Sequence, residues 1–248
     1  MKRLSLSLLI LLFLPTTSLR AQTLSGDEII KKVDQNTFSE NKIVVSRMII
    51  HGRRESRTME AKSWQRGTSD SFTEYLSPAR EKGTKMLKLG DQLWTYSPST
   101  DRTIMISGHM LRQSVMGSDL SYEDMMEDPH LPNLYSAKVS SEETLNGREC
   151  WVLDLVAKKE NIAYHSRKVW VDKSRYVILK ENLYAKTGKL LKTLEVLEVM
   201  RIQNRWVAKS ALYKDIFKQG KGTEFFIDSI VFDADIPEHL FSKAALRR

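Results

Sequence analysis

The sequence predicts a mainly β protein with a few short helices, in which antiparallel hairpins follow one another as a meander. Three observations support this fold class. From residue 41 onward, strand-like runs alternate with short turns rich in Gly, Pro, Asn and Ser. Within WVLDLVAK and RKVWVDK, polar residues alternate with Trp, Leu and Val, which is typical of a sheet with one wet and one buried face. Only residues 24–38 and 117–130 interrupt this pattern with helical features.

The first half of the meander ends near residue 106. Its turns are marked by Gly67, by Ser77-Pro78 and by residues 97–100, all of which carry residues that favour turns. The predicted strands of this half are residues 41–52, 57–67, 69–76, 84–89, 91–98 and 102–106.

The second half resumes at residue 135 with the same alternation of runs and turns. Asn146-Gly147, Thr187-Gly188 and residues 220–222 supply the turn chemistry. Cys150 is the only cysteine, so it has no internal disulfide partner, and we expect a buried, inert thiol. The predicted strands of this half are residues 135–143, 149–159, 166–173, 175–186, 189–200, 205–215 and 223–233.

The first interruption predicts an amphipathic helix. Ser25 and Glu28 have the spacing of a capping box, in which each side chain accepts a hydrogen bond from the other residue's backbone N–H. Ile29, Ile30 and Val33 then form one apolar stripe.

The second interruption, GSDLSYEDMMEDPH, holds five carboxylates and a histidine around two methionines. Ser121 and Asp124 repeat the capping-box spacing, and Leu120 is placed to contact Met125. The sequence therefore predicts a short helix that starts after Ser121 and stops before Pro129, preceded by a helical turn over residues 111–116. We expect Glu127 to lie on its solvent-facing side.

The N-terminus predicts an export signal. Met1-Lys2-Arg3 is followed by an apolar run to Leu14 and a polar exit that ends at Ala21, and the run is too short to span a bilayer. Residues 22–248 would then form a single mature domain. Removal of residues 1–21 lowers the formal charge from +8 to +5, because the segment holds three basic residues and no acid. Export argues against nucleic acid as the partner of this basic chain and favours anionic lipid or an acidic protein surface, and a basic surface that serves only solubility is the alternative.

No motif in the chain predicts a catalytic or metal site. Asp119 as the first position of a calcium loop would place Asp124 where Gly is required, so an EF-hand is excluded. The five histidines form no paired metal motif, and there is no G-x-S-x-G elbow or Gly-rich phosphate loop. We therefore expect no enzyme, no metal and no cofactor. Most of the carboxylates are explained by the start of the helix, and we expect Glu127, Asp128 and His130 to form a solvated acidic face rather than a weak surface site for an ion.

Methionine is concentrated before and within that block. Residues 105–126 hold half of the ten methionines of the chain. Flexible thioethers fill irregular gaps in a core, but they also suit ligands of variable shape, such as acyl chains. The segment is also too long to be a plain hairpin loop.

Several blocks closely resemble the outer-membrane lipoprotein-sorting proteins of the LolA-like superfamily. They are residues 86–125, which include S-G-H-M-L-R and G-S-D-L-S-Y-E-D, residues 169–196, and the later IPEHLFS. The resemblance implies a LolA/LolB-like fold, in which a strongly curved antiparallel sheet, an incomplete β-barrel, is covered by helical lid segments and encloses an apolar cavity. It also implies an arginine that ties lid to barrel, a role for which Arg112 is our hypothesis.

The implied function is that of a periplasmic, monomeric carrier. It would take acyl chains of lipoproteins or lipids from an inner-membrane transporter and pass them to an outer-membrane acceptor. A regulatory module of the same fold, which senses lipoprotein or lipid and binds an envelope protein, is the alternative. Ser25, Glu28, Arg112, Ser121 and Asp124 would shape the lid. The expected cavity and lid contacts are Ile29, Ile30, Val33, Met105, Met110, Leu111, Met116, Leu120, Met125, Met126, Trp151 and Leu153.

Overall fold

The strands form one antiparallel sheet. The computed structural model describes residues 24–247, so the predicted signal at residues 1–21 lies outside the described part. Within residues 24–247 the sheet has thirteen strands. They are β1 (Asn41–His51), β2 (Ser56–Arg66), β3 (Asp70–Ser77), β4 (Lys85–Leu89), β5 (Gln92–Ser97), β6 (Arg102–Ile106), β7 (Tyr135–Leu145), β8 (Arg148–Ala157), β9 (Ser166–Asp172), β10 (Ile178–Tyr184), β11 (Leu190–Ile202), β12 (Arg205–Asp215) and β13 (Gly222–Phe232).

The strand order explains why the chain needs a long crossing segment. The order is β6-β5-β4-β3-β2-β1-β13-β12-β11-β10-β9-β8-β7, so the first and last strands pair in the middle. β6 and β7 follow each other in sequence but form opposite edges, and over the described residues they do not pair, so the sheet is open. Residues 107–134, which we call the lid, must therefore cross from one edge to the other. The predicted mainly β fold with an antiparallel meander and a few short helices is confirmed.

Three short helices accompany the sheet, and two of them belong to the lid. α1 (Gly26–Thr37) carries the predicted capping box between Ser25 and Glu28. α2 (Tyr122–Met126) and α3 (Leu131–Leu134) lie in the lid, and Pro132 in the first turn suits the start of α3.

The predicted helical turn over residues 111–116 is wrong in detail. The chain forms two 3₁₀ turns, Gly108–Arg112 and Val115–Gly117. They are separated because Ser114 forms a β-bridge with Ser121. Met116 also has a positive φ of 50°, which a regular helix does not accept.

Apolar side chains pack on both faces of the sheet. On the lid side, one cluster joins α1 to β8 and β9, and a second joins the lid to β1–β6. On the other face, Phe72, Leu87 and Trp94 pack against Ala245 and Leu246 near the C-terminus. The sheet is thus covered on both faces over β3–β5.

Cys150 is fully buried in β8, as predicted, and burial raises the pKa of its thiol. Within residues 24–247, none of the helices has the length and apolar composition needed to cross a membrane.

Candidate functional site

The candidate site is built around α2, whose position is set by its N-cap. The Ser121 hydroxyl accepts a hydrogen bond from the Asp124 backbone N–H (3.3 Å), and the Asp124 carboxylate accepts one from the Ser121 backbone N–H (2.7 Å). The predicted capping box is therefore present. It fixes the phase of this helical turn and directs Met125 toward the sheet.

The lid places its apolar side chains on one cluster of the sheet. The cluster includes Met48 of β1, Met59 of β2, Tyr75 of β3 and Met86 of β4, all of which are buried. All predicted lid contacts between residues 110 and 126 pack against it, namely Met110, Leu111, Met116, Leu120, Met125 and Met126.

A cavity of about 490 Å³ lies between this part of the lid and the sheet. Such a volume is within the usual range of ligand pockets, roughly 300–1,000 Å³. Leu120 and Met125 line it from the lid, and Tyr213 and Phe225 line it from β12 and β13. One part of the wall is apolar, formed by Met48, Met59, Ala61, Tyr75, Val115, Leu120, Met125 and Phe225, and the part near the β2–β3 turn is polar, formed by Ser63, Gln65, Thr68, Ser69, Asp70, Ser71, Lys88 and Asp128.

The other predicted contacts form a separate group beneath α1. Ile29, Ile30 and Val33 pack with Leu153 in one cluster, and Trp151 lies against that cluster. A second cavity of about 220 Å³, lined mainly by apolar side chains, lies here and is bordered by Ile30 and Val33. Residues Pro129, Leu131 and Tyr213 line both cavities, so the two cavities are neighbours.

Met105 does not join either group, and its assignment to the cavity is corrected. Met105 of β6 lies opposite Trp94 of β5, and residues directly opposite in an antiparallel pair share a face. Trp94 belongs to the cluster on the outer face of the sheet, and Met105 is 44% exposed. Its neighbour Ile106, one position on, is the β6 residue that packs under the lid.

The arginine that fastens the lid is Arg167, not Arg112. Arg167 of β9 is only 7% exposed, and its guanidinium donates hydrogen bonds to Glu127 of α2's C-terminal end and to Glu181 of β10 (3.1 Å). Arg112 is exposed. Glu127, with 17% of its side chain exposed, therefore pairs with the sheet, which corrects the expectation that it faces solvent.

Aromatic rings surround the Arg167 guanidinium. Its central carbon lies 4.8 Å from the Tyr135 ring centroid and 5.4 Å from that of Tyr164. Burial opposes the charge on Arg167, but the Glu181 and Glu127 carboxylates outweigh burial and raise the pKa of Arg167. Burial raises the pKa of Glu181, and Arg167 only partly offsets this. The Nε atom of Arg167 is buried without a hydrogen-bond partner.

Asp124 is the second ionic fastener of the lid. Besides capping α2, its carboxylate accepts hydrogen bonds from Lys192 of β11 (2.5 Å) and from the Tyr164 hydroxyl. Burial alone would raise the pKa of Asp124, but Lys192 and the hydrogen bonds outweigh it and the pKa is lowered. The cap of α2 and its attachment to the sheet thus share one side chain.

Asp119 attaches the middle of the lid to β12 and β13. Its carboxylate accepts hydrogen bonds from the Asp215 backbone N–H (2.9 Å) and the Thr223 hydroxyl (2.8 Å), and it is buried. Lys218 donates to the backbone carbonyl oxygens of Gly117 (3.2 Å) and Ser118. These contacts attach the lid to the sheet at its centre.

Asp128 and His130 of the acidic block also bind protein groups. Asp128 accepts from the His130 backbone N–H (2.9 Å) and from the Asn133 amide (3.1 Å). The His130 ring contacts Asp34 of α1 (2.7 Å), which joins α3 to α1. Across residues 24–247, no three His, Cys, Asp or Glu side chains are arranged to hold a metal ion. Glu127, Asp128 and His130 therefore contact protein groups and do not form the solvated acidic face that we expected.

Sequence reasoning missed Arg167 although a signal was present. Arg167, Val169 and Val171 occupy alternate positions of β9, and all three are buried. A positive charge on the apolar phase of a strand requires a buried partner, because an unpaired buried charge is costly. The partner, Glu127, lies 40 positions away, so local patterns could not identify it.

Three solved structures share the fold over most of the chain. A DUF1329 family protein from Desulfovibrio piger has a TM-score of 0.81 at 24% identity and covers 89% of this chain and 97% of its own. A putative outer membrane lipoprotein-sorting protein domain from Vibrio parahaemolyticus has a TM-score of 0.76 at 27% identity, with coverages of 90% and 98%. A LolA superfamily protein from Nitrosomonas europaea has a TM-score of 0.72 at 21% identity, with coverages of 90% and 100%.

No curated protein matches the chain. A family model described as "Uncharacterized protein" matches residues 67–248, which is most of the chain. The resemblance predicted from the sequence is confirmed by the structural neighbours. The chain therefore belongs to the family that this model defines, and it has the LolA-like fold of the outer-membrane lipoprotein-sorting proteins.

Proposed function

We propose that the protein is a periplasmic carrier that binds acyl chains of lipoproteins or lipids in the cavity beneath the lid. The observation that carries the proposal is the cavity of about 490 Å³ between Met125 and Leu120 of the lid and the apolar side chains of β1–β3. Burial of a methylene group contributes about 0.8 kcal/mol, so ten methylenes contribute about 8 kcal/mol before ordering costs. That gain is sufficient for binding without any covalent chemistry.

The proposed mechanism uses the lid attachments as a latch. With the lid closed, Met and Leu side chains of the lid pack on the sheet. Opening separates Glu127 from Arg167 and Asp124 from Lys192, and an acyl chain then replaces the lid side chains against β1–β3. Both cavities are bordered by Pro129, Leu131 and Tyr213, so movement of the segment that carries Pro129 and Leu131 would change the shape of both.

The cellular route is part of the same proposal. Residues 1–21 would direct export, and the mature chain would begin near Gln22 without an acyl group. The carrier would receive its cargo from an inner-membrane transporter and deliver it to an outer-membrane acceptor. The shared fold of the Vibrio lipoprotein-sorting protein domain supports this route.

Native mass spectrometry of protein purified from its own envelope tests the proposal. We expect a mature protein mass accompanied by the mass of a lipid or lipoprotein, which organic extraction removes. Protein that carries no acylated cargo but co-purifies with an envelope protein in a fixed ratio would contradict the carrier and favour the regulatory module.

A further inference from the structure

Three turns and the first two residues of β2 lie side by side at one end of the sheet, and we call them together the basic tip. The β1 and β13 strands meet there, since His51 pairs with Gly222. The Ile216 backbone N–H donates to the Leu191 carbonyl oxygen (3.0 Å), which joins the β12–β13 turn to β11. A Cβ at Gly220 would collide with the His51 carbonyl oxygen, so this turn packs closely on β1. The basic tip comprises residues 52–57, 185–189 and 216–221.

The apex of the basic tip is apolar and exposed. Ile216 is 44% exposed and Phe217 is 57% exposed, although both are large apolar residues. The turn is held in shape, because the Phe217 backbone N–H donates to the Asp215 carboxylate (2.9 Å). The Lys189 ammonium lies 4.4 Å from the Phe217 ring centroid. An aromatic side chain is thus presented to solvent on a fixed turn with a cation beside it.

The charge of the basic tip is strongly positive. Glu55 is its single acid, and two acids lie close by: Glu160, 3.5 Å from Lys186, and Asp215 at the base of the turn. Clusters of Lys and Arg attract anionic lipid surfaces, and each cation near such a surface strengthens binding by about fivefold. The basic side chains of the tip are Arg53, Arg54, Arg57, Lys186, Lys189, Lys218 and Lys221.

We propose that the basic tip docks the protein on a membrane surface that contains anionic phospholipid, with Phe217 and Ile216 entering the headgroup region. Cations around an exposed aromatic and an aliphatic side chain match the chemistry of interfacial lipid binding. An acidic protein surface would complement the charges but would leave the exposed apex unexplained. The docking surface does not depend on acyl binding in the cavity, so the two proposals can fail separately.

Docking at the basic tip would act directly on the lid. Lys218 belongs to the tip, and its ammonium donates to the lid carbonyl oxygens of Gly117 and Ser118. Arg57, also in the tip, donates to the Met116 carbonyl oxygen (2.9 Å). Lipid phosphates compete for the same donors, because an anionic phosphate oxygen attracts a cation more strongly than a neutral carbonyl oxygen does. Membrane contact would therefore release the lid at residues 116–118.

Co-sedimentation with vesicles tests the docking surface. Wild-type protein should bind phosphatidylcholine vesicles that contain phosphatidylglycerol, and binding should weaken with salt and be lost with phosphatidylcholine alone. Lys221→Ser should weaken binding by about fivefold. The double variant Ile216→Ser, Phe217→Ser should weaken it by at least that factor.

Matched controls separate docking from unfolding and from charge alone. Leu197→Ser removes a residue that is 53% exposed on β11, and Lys138→Ser removes an exposed cation on β7; neither should change binding. Met125→Asp should also keep vesicle binding. Equal binding to vesicles without phosphatidylglycerol would overturn the proposal. So would wild-type binding by the double variant, because Ile216 and Phe217 would then contribute nothing. Absence of wild-type binding to vesicles that contain phosphatidylglycerol would overturn it too and would point instead to an acidic protein partner.

Discussion

At the scale of single residues, Arg167 decides how the lid is held. Its guanidinium lies between Glu127 of the lid and Glu181 of the sheet, and all three side chains are largely buried. Replacing a whole buried ion network with apolar residues is often neutral for stability, but removal of one member leaves uncompensated charge. The network therefore sets the closed position of the lid and adds little net free energy of unfolding.

Arg167→Gln should lower the free energy of unfolding by about 3 kcal/mol, because it leaves two buried carboxylates facing each other. Arg112→Gln is the matched control, since Arg112 is exposed, and it should change stability by less than about 0.5 kcal/mol. Urea denaturation measures both values. Equal effects of the two substitutions would contradict the assignment of Arg167 as the arginine that fastens the lid.

Asp124 gives the lid a defined response to acid. The pKa of its carboxyl is below the ordinary value of 3.8, so its stabilising contribution is complete above that value and is lost as the pH falls through the lowered pKa. Acid has the opposite effect on stability at Glu181. Burial raises the pKa of Glu181, and its protonation removes a buried charge.

We therefore expect amide hydrogen exchange at residues 119–128 to remain protected down to about pH 4 and to lose protection below it. Asp124→Asn should remove this acid step and leave the lid less protected at neutral pH. Loss of wild-type protection already between pH 7 and 5 would contradict the role of the Asp124–Lys192 pair.

At the scale of secondary-structure elements, the formation of α2 depends on both its N-cap and its packing against the sheet. A helix of five residues is not stable alone, since helix nucleation is unfavourable. It persists because Ser121 and Asp124 cap it and because Met125 and Met126 pack on the sheet. α1 has the same cap chemistry but twelve residues and a fully buried stripe.

Ser121→Ala should cost about 1 kcal/mol, the usual loss for an N-cap, and should speed hydrogen exchange across residues 119–128. Ser25→Ala removes the equivalent cap of α1 and should affect exchange only near residues 25–37. Unchanged exchange in the lid after Ser121→Ala would show that packing alone orders α2.

The features that the sequence predicted are those that local chemistry determines. Turn residues and alternation placed every strand within a few residues of its observed bounds, and both capping boxes were recognised from four-residue patterns. Met105 was misplaced because RTIMI is apolar at three consecutive positions, so its alternation does not reveal which face is buried. Arg112 was chosen because it is close to the lid in sequence, whereas the fastening arginine is close only in space. Pairing across long separations cannot be obtained from one sequence.

At the scale of the whole molecule, topology creates the site. Since β6 and β7 lie at opposite edges of the open sheet, residues 107–134 must cross one of its faces. The crossing segment is attached at the centre of the sheet by Asp119 and near the β7 edge by Glu127. Leu120, Met125 and Met126 lie between these attachments and pack against the cluster of β1–β6, beside the cavity of about 490 Å³.

The most direct test of this account is binding of a fluorescent acyl probe to two methionine variants. Met125 lines the cavity beneath the lid, whereas Met105 lies on the outer face of the sheet, so Met→Asp at the two positions makes the same chemical change in different places. A buried charge without a partner strongly opposes apolar contact. Met125→Asp should weaken probe binding by at least about tenfold, which is roughly 1.4 kcal/mol, while Met105→Asp binds as wild type does. Equal affinities of the two variants, or absence of probe binding by the wild type, would contradict the acyl cavity beneath the lid.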